Sequence, residues 1–325
     1  MNHKTGGRFV RLPVFPFSPA SRTEFEIESG IREISCTAAT GLTFTSEAER
    51  EMTDSMQPRI MEKKMHVTVR DAGLYVTLYA HINEHPGEQR ATLVFLHEAL
   101  GSVGQWKSFP YELCRASACD GIVYDRKGHG KSSPMTAPRG LDFYREEATE
   151  YLPGLLAALN VRRPLLVGHS DGATIALTHA ALFPGQCVGV ISEAAHVIIE
   201  DVTVQGIREA KQLFMNTDLR EKLMRYHGEK TDAVFAAWAD TWLDPGLKDW
   251  DMLEVLERVT CPVLVVQGEN DQYGSRRQVD LIDQHVAGSS ELLWLEDCGH
   301  VPHLQARARV LAAMTDFIRR TSAPA

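Results

Sequence analysis

From residue 66 onward the chain alternates short apolar runs with longer stretches whose apolar residues recur at helical spacing. Residues 66–70 and 74–79 mix β-branched, aromatic and polar positions on either side of Asp71-Ala72-Gly73, which predicts a hairpin. Residues 91–97, 121–125, 164–167, 187–192, 262–267 and 291–295 read as further strands, most of them nearly unbroken apolar runs. Such runs suit strands buried on both faces. Residues 104–116, 141–160, 173–183, 275–286 and 301–320 between and after them have helical composition. The alternation predicts an α/β fold: a mostly parallel eight-stranded sheet with helices on both faces and an antiparallel hairpin at one edge.

Two segments depart from this rhythm. Residues 196–259 contain no strand pattern, but have amphipathic helical stretches at 204–215 and 231–242 and three of the five tryptophans, Trp238, Trp242 and Trp250. This insert follows the strand at 187–192, so it should emerge at the carboxyl edge of the sheet, where open α/β sheets hold ligands. It is expected to form a helical lid. Residues 1–60 carry Pro13, Pro16 and Pro19 among Thr, Ser and Glu, without periodicity, and are expected to be a flexible N-terminal extension. The core is then expected at 61–195 and 260–325.

Composition narrows the function. With 325 residues, 44% hydrophobic and 24% charged, the chain can bury one large core. A net charge of −9 and no dense Lys/Arg run argue against a nucleic-acid partner. No apolar stretch approaches the length of a membrane span. The extension has arginines at 8, 11 and 22 and no continuous apolar segment, unlike a secretory signal. Six scattered cysteines with no C-x-x-C pair suit free thiols in a reducing compartment, so a cytoplasmic location is expected. The sequence is compatible with a homodimer and does not set the oligomeric state.

The chemistry centres on Gly168-His169-Ser170-Asp171-Gly172, which lies between the strand at 164–167 and the helix at 173–183. Strand, G-x-S-x-G and helix together form the context of a nucleophile elbow. A serine needs a base, and the base needs a carboxylate to hold its tautomer. Asp271 follows the strand at 262–267, and His300 follows the strand at 291–295, so both share the sheet edge of Ser170. Glu269 and Glu193 are rivals for the acid, and His303 is the rival for the base. The oxyanion donors should be the N–H of Asp171 and that of Ala99, with the Glu98 N–H as alternative. His97 should brace that loop. Glu98, His196, Trp238 and Trp242 are expected to line the substrate pocket. No metal-ligand spacing of the H-E-x-x-H kind is present.

These motifs resemble the α/β-hydrolase superfamily, in its serine-nucleophile branch with a helical lid. The resemblance covers residues 66–320. It rests on His97-Glu98, on Asp125 to Ser132 (which follows the D-x-R-G-x-G-x-S turn of that branch), on Gly168 to Gly172, and on Asp271 with His300. It departs at Glu98, where many members carry glycine. The resemblance implies a catalytic triad of Ser170, Asp271 and His300, no cofactor and a small-molecule substrate. It points to a carboxylic-ester or lactone hydrolase. A carbon–carbon bond hydrolase of dienoic ring-cleavage products would use the same triad, and a non-catalytic binding protein is the third reading. A further expectation concerns charge. Asp171 or Glu98 either faces the pocket and disfavours anionic acyl groups or is structural, with Glu98 pairing to Lys107 or Arg126.

Overall fold

The computed structural model describes residues 60–81, 91–137, 139–140 and 142–322. The expected extension lies outside them up to residue 59. Eight strands form one sheet: β1 (Ile60–Val69), β2 (Ala72–His81), β3 (Thr92–Leu96), β4 (Asp120–Tyr124), β5 (Pro164–His169), β6 (Gly189–Glu193), β7 (Val263–Gly268) and β8 (Ser290–Leu295). Their spatial order is β1-β2-β4-β3-β5-β6-β7-β8. β2 is antiparallel to both β1 and β4, and the remaining pairings are parallel.

Strand alternation explains why the sheet is covered twice. In β3, Leu93 and Phe95 enter one apolar core while Val94 and Leu96 enter the other. In β7, Leu264 and Val266 divide from Val263 and Val265 in the same way. Successive side chains point to opposite faces, so an unbroken apolar run needs two apolar layers above and below it. The helices supply them: α1 (Phe109–Ser117), α2 (Phe143–Glu146), α3 (Leu152–Ala158), α4 (Asp171–Leu182), α5 (Asp201–Asn216), α6 (Leu219–His227), α7 (Thr231–Trp242), α8 (Leu253–Leu256), α9 (Arg276–His285), α10 (Pro302–Gln305) and α11 (Arg307–Thr321). Helices α1 and α11 pack on one face through Phe109, Leu113, Met314 and Phe317. Helices α3, α4 and α9 cover the other through Leu152, Leu155, Ile175 and Ile282. The insert between β6 and β7 is built from α5 to α8, with one isolated antiparallel bridge, Ile198 to Asp251.

Three local expectations are corrected. The hairpin turn is Arg70–Asp71, because Ala72 and Gly73 already pair with Val69 and Thr68. Arg70 takes the positive φ of 55° that a two-residue turn demands. Strand β1 starts at Ile60, six residues before the alternating pattern sharpens. Residues 141–160 do not form one α-helix: a π turn at Glu147–Tyr151 separates α2 from α3.

The sheet also fixes where a ligand can sit. β3 lies between β4 and β5, so the crossovers leaving β3 and β5 run to opposite sides. The loops at their carboxyl ends, after Leu96 and after His169, open at that switch point.

Candidate active site

Ser170 lies between β5 and α4 with φ 53° and ψ −118°, a strained conformation for a side-chain-bearing residue. Its flanks must be glycine. A Cβ on Gly168 would lie 2.4 Å from the Ala173 Cα, and one on Gly172 would lie 2.0 Å from the Leu96 carbonyl oxygen. The tight turn thus brings the start of α4 against the end of β3. The Ser170 N–H is tied to the Glu193 carbonyl at 2.8 Å, which fixes the turn against β6.

The Ser170 Oγ is 3.0 Å from His300 Nε2, and His300 Nδ1 is 2.9 and 2.8 Å from the two Asp271 oxygens. All three residues are buried, at 7%, 5% and 9% exposure for Ser170, His300 and Asp271. A carboxylate only accepts, so Nδ1 carries the proton and Nε2 keeps a lone pair toward the hydroxyl. Asp271 is oriented further by the Gln267 amide and the Tyr273 N–H, each at 2.8 Å. Burial pushes the Asp271 carboxyl up, but the His300 charge and hydrogen bond outweigh it and hold it below its ordinary value. Burial also favours the neutral His300 ring. The Asp271 charge and hydrogen bond, helped by Glu98 and Glu193, overcome that and raise His300 above its ordinary 6.5.

Two of the three rivals from the sequence, Glu193 and His303, pair with each other. His303 Nδ1 is 3.0 Å from both Glu193 oxygens, and its N–H donates to the same carboxylate at 2.7 Å. Glu193 ends β6 and is fully buried. Among the described residues, neither side chain is hydrogen-bonded to the Ser170 hydroxyl or to Asp271.

The loop after β3 is held from behind. His97 Nδ1 donates to the Glu98 carbonyl at 2.7 Å, while its Nε2 accepts the Arg126 N–H at 3.0 Å. The Arg126 guanidinium adds a bond of 2.9 Å to the Glu98 carbonyl. His129 Nε2 meets the Ala99 carbonyl at 2.9 Å, and His227 Nε2 meets that of Leu100 at 2.9 Å. Burial keeps all three imidazoles on the neutral side of their ordinary value. In a trans peptide the N–H points away from the preceding carbonyl. Pinning the Glu98 carbonyl therefore turns the Ala99 N–H to the opposite side. Ala99 borders the cavity above Ser170, and no acceptor takes its N–H among the described residues. The Asp171 N–H opens α4 and is likewise untaken among them.

That cavity is lined by Ser170, His300, Glu98, His196, Trp238 and Trp242, with Tyr273 and Ile207 closing it. Five of its lining residues, His196, Thr203, Ile207, Trp238 and Trp242, come from the insert. Asp171 also borders the cavity, but its carboxylate is engaged elsewhere. The Tyr144 hydroxyl donates to it at 2.8 Å and Arg139 at 3.2 Å, with Arg126 at 3.7 Å. This corrects the expectation that Asp171 could present free charge to a ligand. The expected partners of Glu98 are also corrected: Lys107 bonds the Tyr226 hydroxyl at 2.5 Å, and Arg126 reaches only the Glu98 backbone. Glu98 thus keeps an unpartnered carboxylate among the described residues. Sequence reasoning missed the roles of Arg126, Arg139, Tyr144 and Tyr273. Arg126 lies inside the Asp125–Ser132 motif, the one signal that could have marked it.

A serine, a neutral imidazole and a carboxylate linked in this order, with two residues of the same cavity wall whose N–H groups are untaken among the described residues, can support attack on an acyl carbon. Among the described residues, no helix is long and apolar enough to cross a membrane, and no cysteine is disulfide-bonded.

Known proteins share this framework. The chain is 28% identical over 208 residues to the human protein named serine hydrolase BPHL, covering 61% of this chain and 69% of that protein. It is 29% identical over 146 residues to a protein of an Enterobacter species named 2-succinyl-6-hydroxy-2,4-cyclohexadiene-1-carboxylate synthase, covering 45% of this chain and 51% of that one. Among solved structures, a thermophilic esterase from Thermogutta terrifontis superposes with a TM-score of 0.61 at 18% identity, covering 80% of this chain and 100% of that chain. A proline iminopeptidase from Mycobacterium smegmatis gives 0.62 at 18% identity, covering 80% and 99%. At such identities the solved structures establish the shared fold. The sequence model of the alpha/beta hydrolase family matches residues 93–313, about two thirds of the chain, and the chain belongs to that family.

Proposed function

We propose that the protein is a serine hydrolase that cleaves a carboxylic ester or lactone of a small to medium substrate through an acyl-enzyme. The observation that carries this reading is the hydrogen-bonded line from Ser170 Oγ through His300 to Asp271 at the floor of a cavity. His300 takes the Ser170 proton as the oxygen attacks the acyl carbon, and Asp271 stabilises the imidazolium. The N–H groups of Ala99 and Asp171 hold the oxyanion. His300 then protonates the leaving group, and water activated by the same ring releases the acid. The insert of α5 to α8 acts as the lid, setting the pocket with Trp238 and Trp242. The name of the human relative, a serine hydrolase, supports this chemistry.

The test is a panel of esters, lactones and ring-fission products run against the wild type and Ser170→Ala. The substitution should leave folding intact and reduce kcat by at least about 10³-fold, because the three groups act as a unit. Near-wild-type turnover by Ser170→Ala would remove the serine mechanism. Turnover confined to ring-fission products would replace the ester reading with carbon–carbon bond hydrolysis.

A further inference from the structure

The mechanism leaves Glu98 unused. It is half-buried, its carboxylate is unpartnered among the described residues, and it borders two cavities. One is the cavity at Ser170. The other lies beyond the loop after β3, between Trp106, His169, Leu223 and Tyr226. One ligand atom from each of Glu98, His169 and His300 lies within 4.8 Å of the others. His169 and His300 are only 2% and 5% exposed.

The state of the two rings is fixed by what stands behind them. His169 Nε2 is 2.7 Å from the His300 carbonyl oxygen, so it carries the proton and Nδ1 keeps a lone pair. His300 Nδ1 donates to Asp271, so Nε2 keeps its own. An imidazole backed by a carbonyl or carboxylate on its far nitrogen is the arrangement found behind metal-bound histidines. The Glu98 carboxylate completes a set of two imidazoles and one carboxylate. That set suits zinc, which takes three protein ligands plus water at open sites; magnesium and calcium prefer oxygen alone.

We propose that Glu98, His169 and His300 bind a divalent transition metal ion of the zinc type, and that occupation of this site switches the hydrolase off. The ion takes the Nε2 lone pair of His300, the pair that accepts the Ser170 proton, so the nucleophile loses its base. Glu98 and His169, two of the three ligands, border the second cavity. The inhibitory half of the proposal rests on the hydrolase reading; the binding half does not.

The binding half is tested by titrating the full chain carrying Ser170→Ala with cobalt(II), whose visible absorption reports a low-coordinate nitrogen and oxygen site. The expected result is one saturable equivalent that zinc(II) displaces. Glu98→Gln and His169→Gln should each weaken it at least about tenfold, the loss seen when even a group behind a metal ligand is removed. Should His169→Gln not fold, Glu98→Gln carries the comparison alone. An unchanged affinity in Glu98→Gln, or no saturable visible band, overturns the site whatever the activity. The inhibitory half is tested on the wild-type chain, where zinc(II) should abolish turnover with a midpoint matching the zinc affinity derived from its displacement of cobalt(II). Full turnover at saturating zinc(II) overturns the switch.

Discussion

Replacing Asp171 by asparagine removes one negative charge from a cluster that water does not reach. Asp171 is 1% exposed, the Arg126 side chain 0% and the Arg139 side chain 7%. At 3.2 and 3.7 Å the two attractions sum to roughly 10 kcal/mol at an effective dielectric constant of about 20. Desolvation of the three charges cancels much of that. Removing one partner of a buried pair nevertheless costs about 3–5 kcal/mol, because the remaining charges stay buried and uncompensated. For a chain of this size each kcal/mol lowers Tm by about 2–4 °C, so Asp171→Asn should melt roughly 6–20 °C below the wild type. Urea unfolding and thermal melting of Asp171→Asn, Arg139→Gln and the double variant provide the assay. The double variant should lose less than the sum of the singles, with a coupling of about 0.5–3 kcal/mol. The preference among matched esters ending in carboxylate, amide or ammonium should not change. Stability within about 0.5 kcal/mol of wild type, together with a reordered ester preference, would refute the reasoning and return Asp171 to the substrate.

Four further outcomes are expected. Activity needs the neutral His300 ring, and that ring is held above its ordinary 6.5, so kcat/KM should rise with pH through an apparent value above 6.5. Because the Glu98 charge favours the imidazolium, Glu98→Gln should move this limb to lower pH, and an unmoved limb would count against the proximity of the two groups. Asp271→Asn should keep the fold but lose about 10⁴-fold in kcat, since the amide no longer holds the Nδ1-protonated tautomer; a loss below tenfold in steady-state assays would speak for another acid. A chain beginning at His66 forfeits the β1 pairs from Ile60↔His81 to Met65↔Val76 and should melt below one beginning at Ile60, while equal melting temperatures would make that half of β1 dispensable.

The layers of the fold were legible because their cause is local. Unbroken apolar runs such as those of β3 and β7 can be satisfied only between two apolar layers, and the helical composition between strands supplies those layers. The order Ser170, Asp271, His300 was legible for a related reason: each follows a strand, and parallel strands deliver their ends to one edge. Long-range pairing was not legible. By sequence Glu193 and His303 are rivals for triad positions, and only the fold shows that residues 110 apart satisfy each other. Arg126 lies in the Asp125–Ser132 turn motif and is expected by sequence to pair with Glu98, and nothing local indicates that its side chain is fully buried against Asp171. Glycine drew the hairpin turn toward Gly73, but register placed it at Arg70–Asp71. The π turn at Glu147–Tyr151 escaped because one extra residue in a turn shifts helical phase without changing composition.

The central claim is that Ser170 forms a covalent acyl intermediate. Rapid quenching of the chain with short-chain aryl esters, followed by intact mass measurement and peptide mapping, tests it most directly. The account predicts a burst of product approaching one equivalent, an acyl mass on Ser170, and neither in Ser170→Ala. Steady turnover with no adduct at any quench time, or an acyl group on another residue whose loss stops turnover, would contradict it.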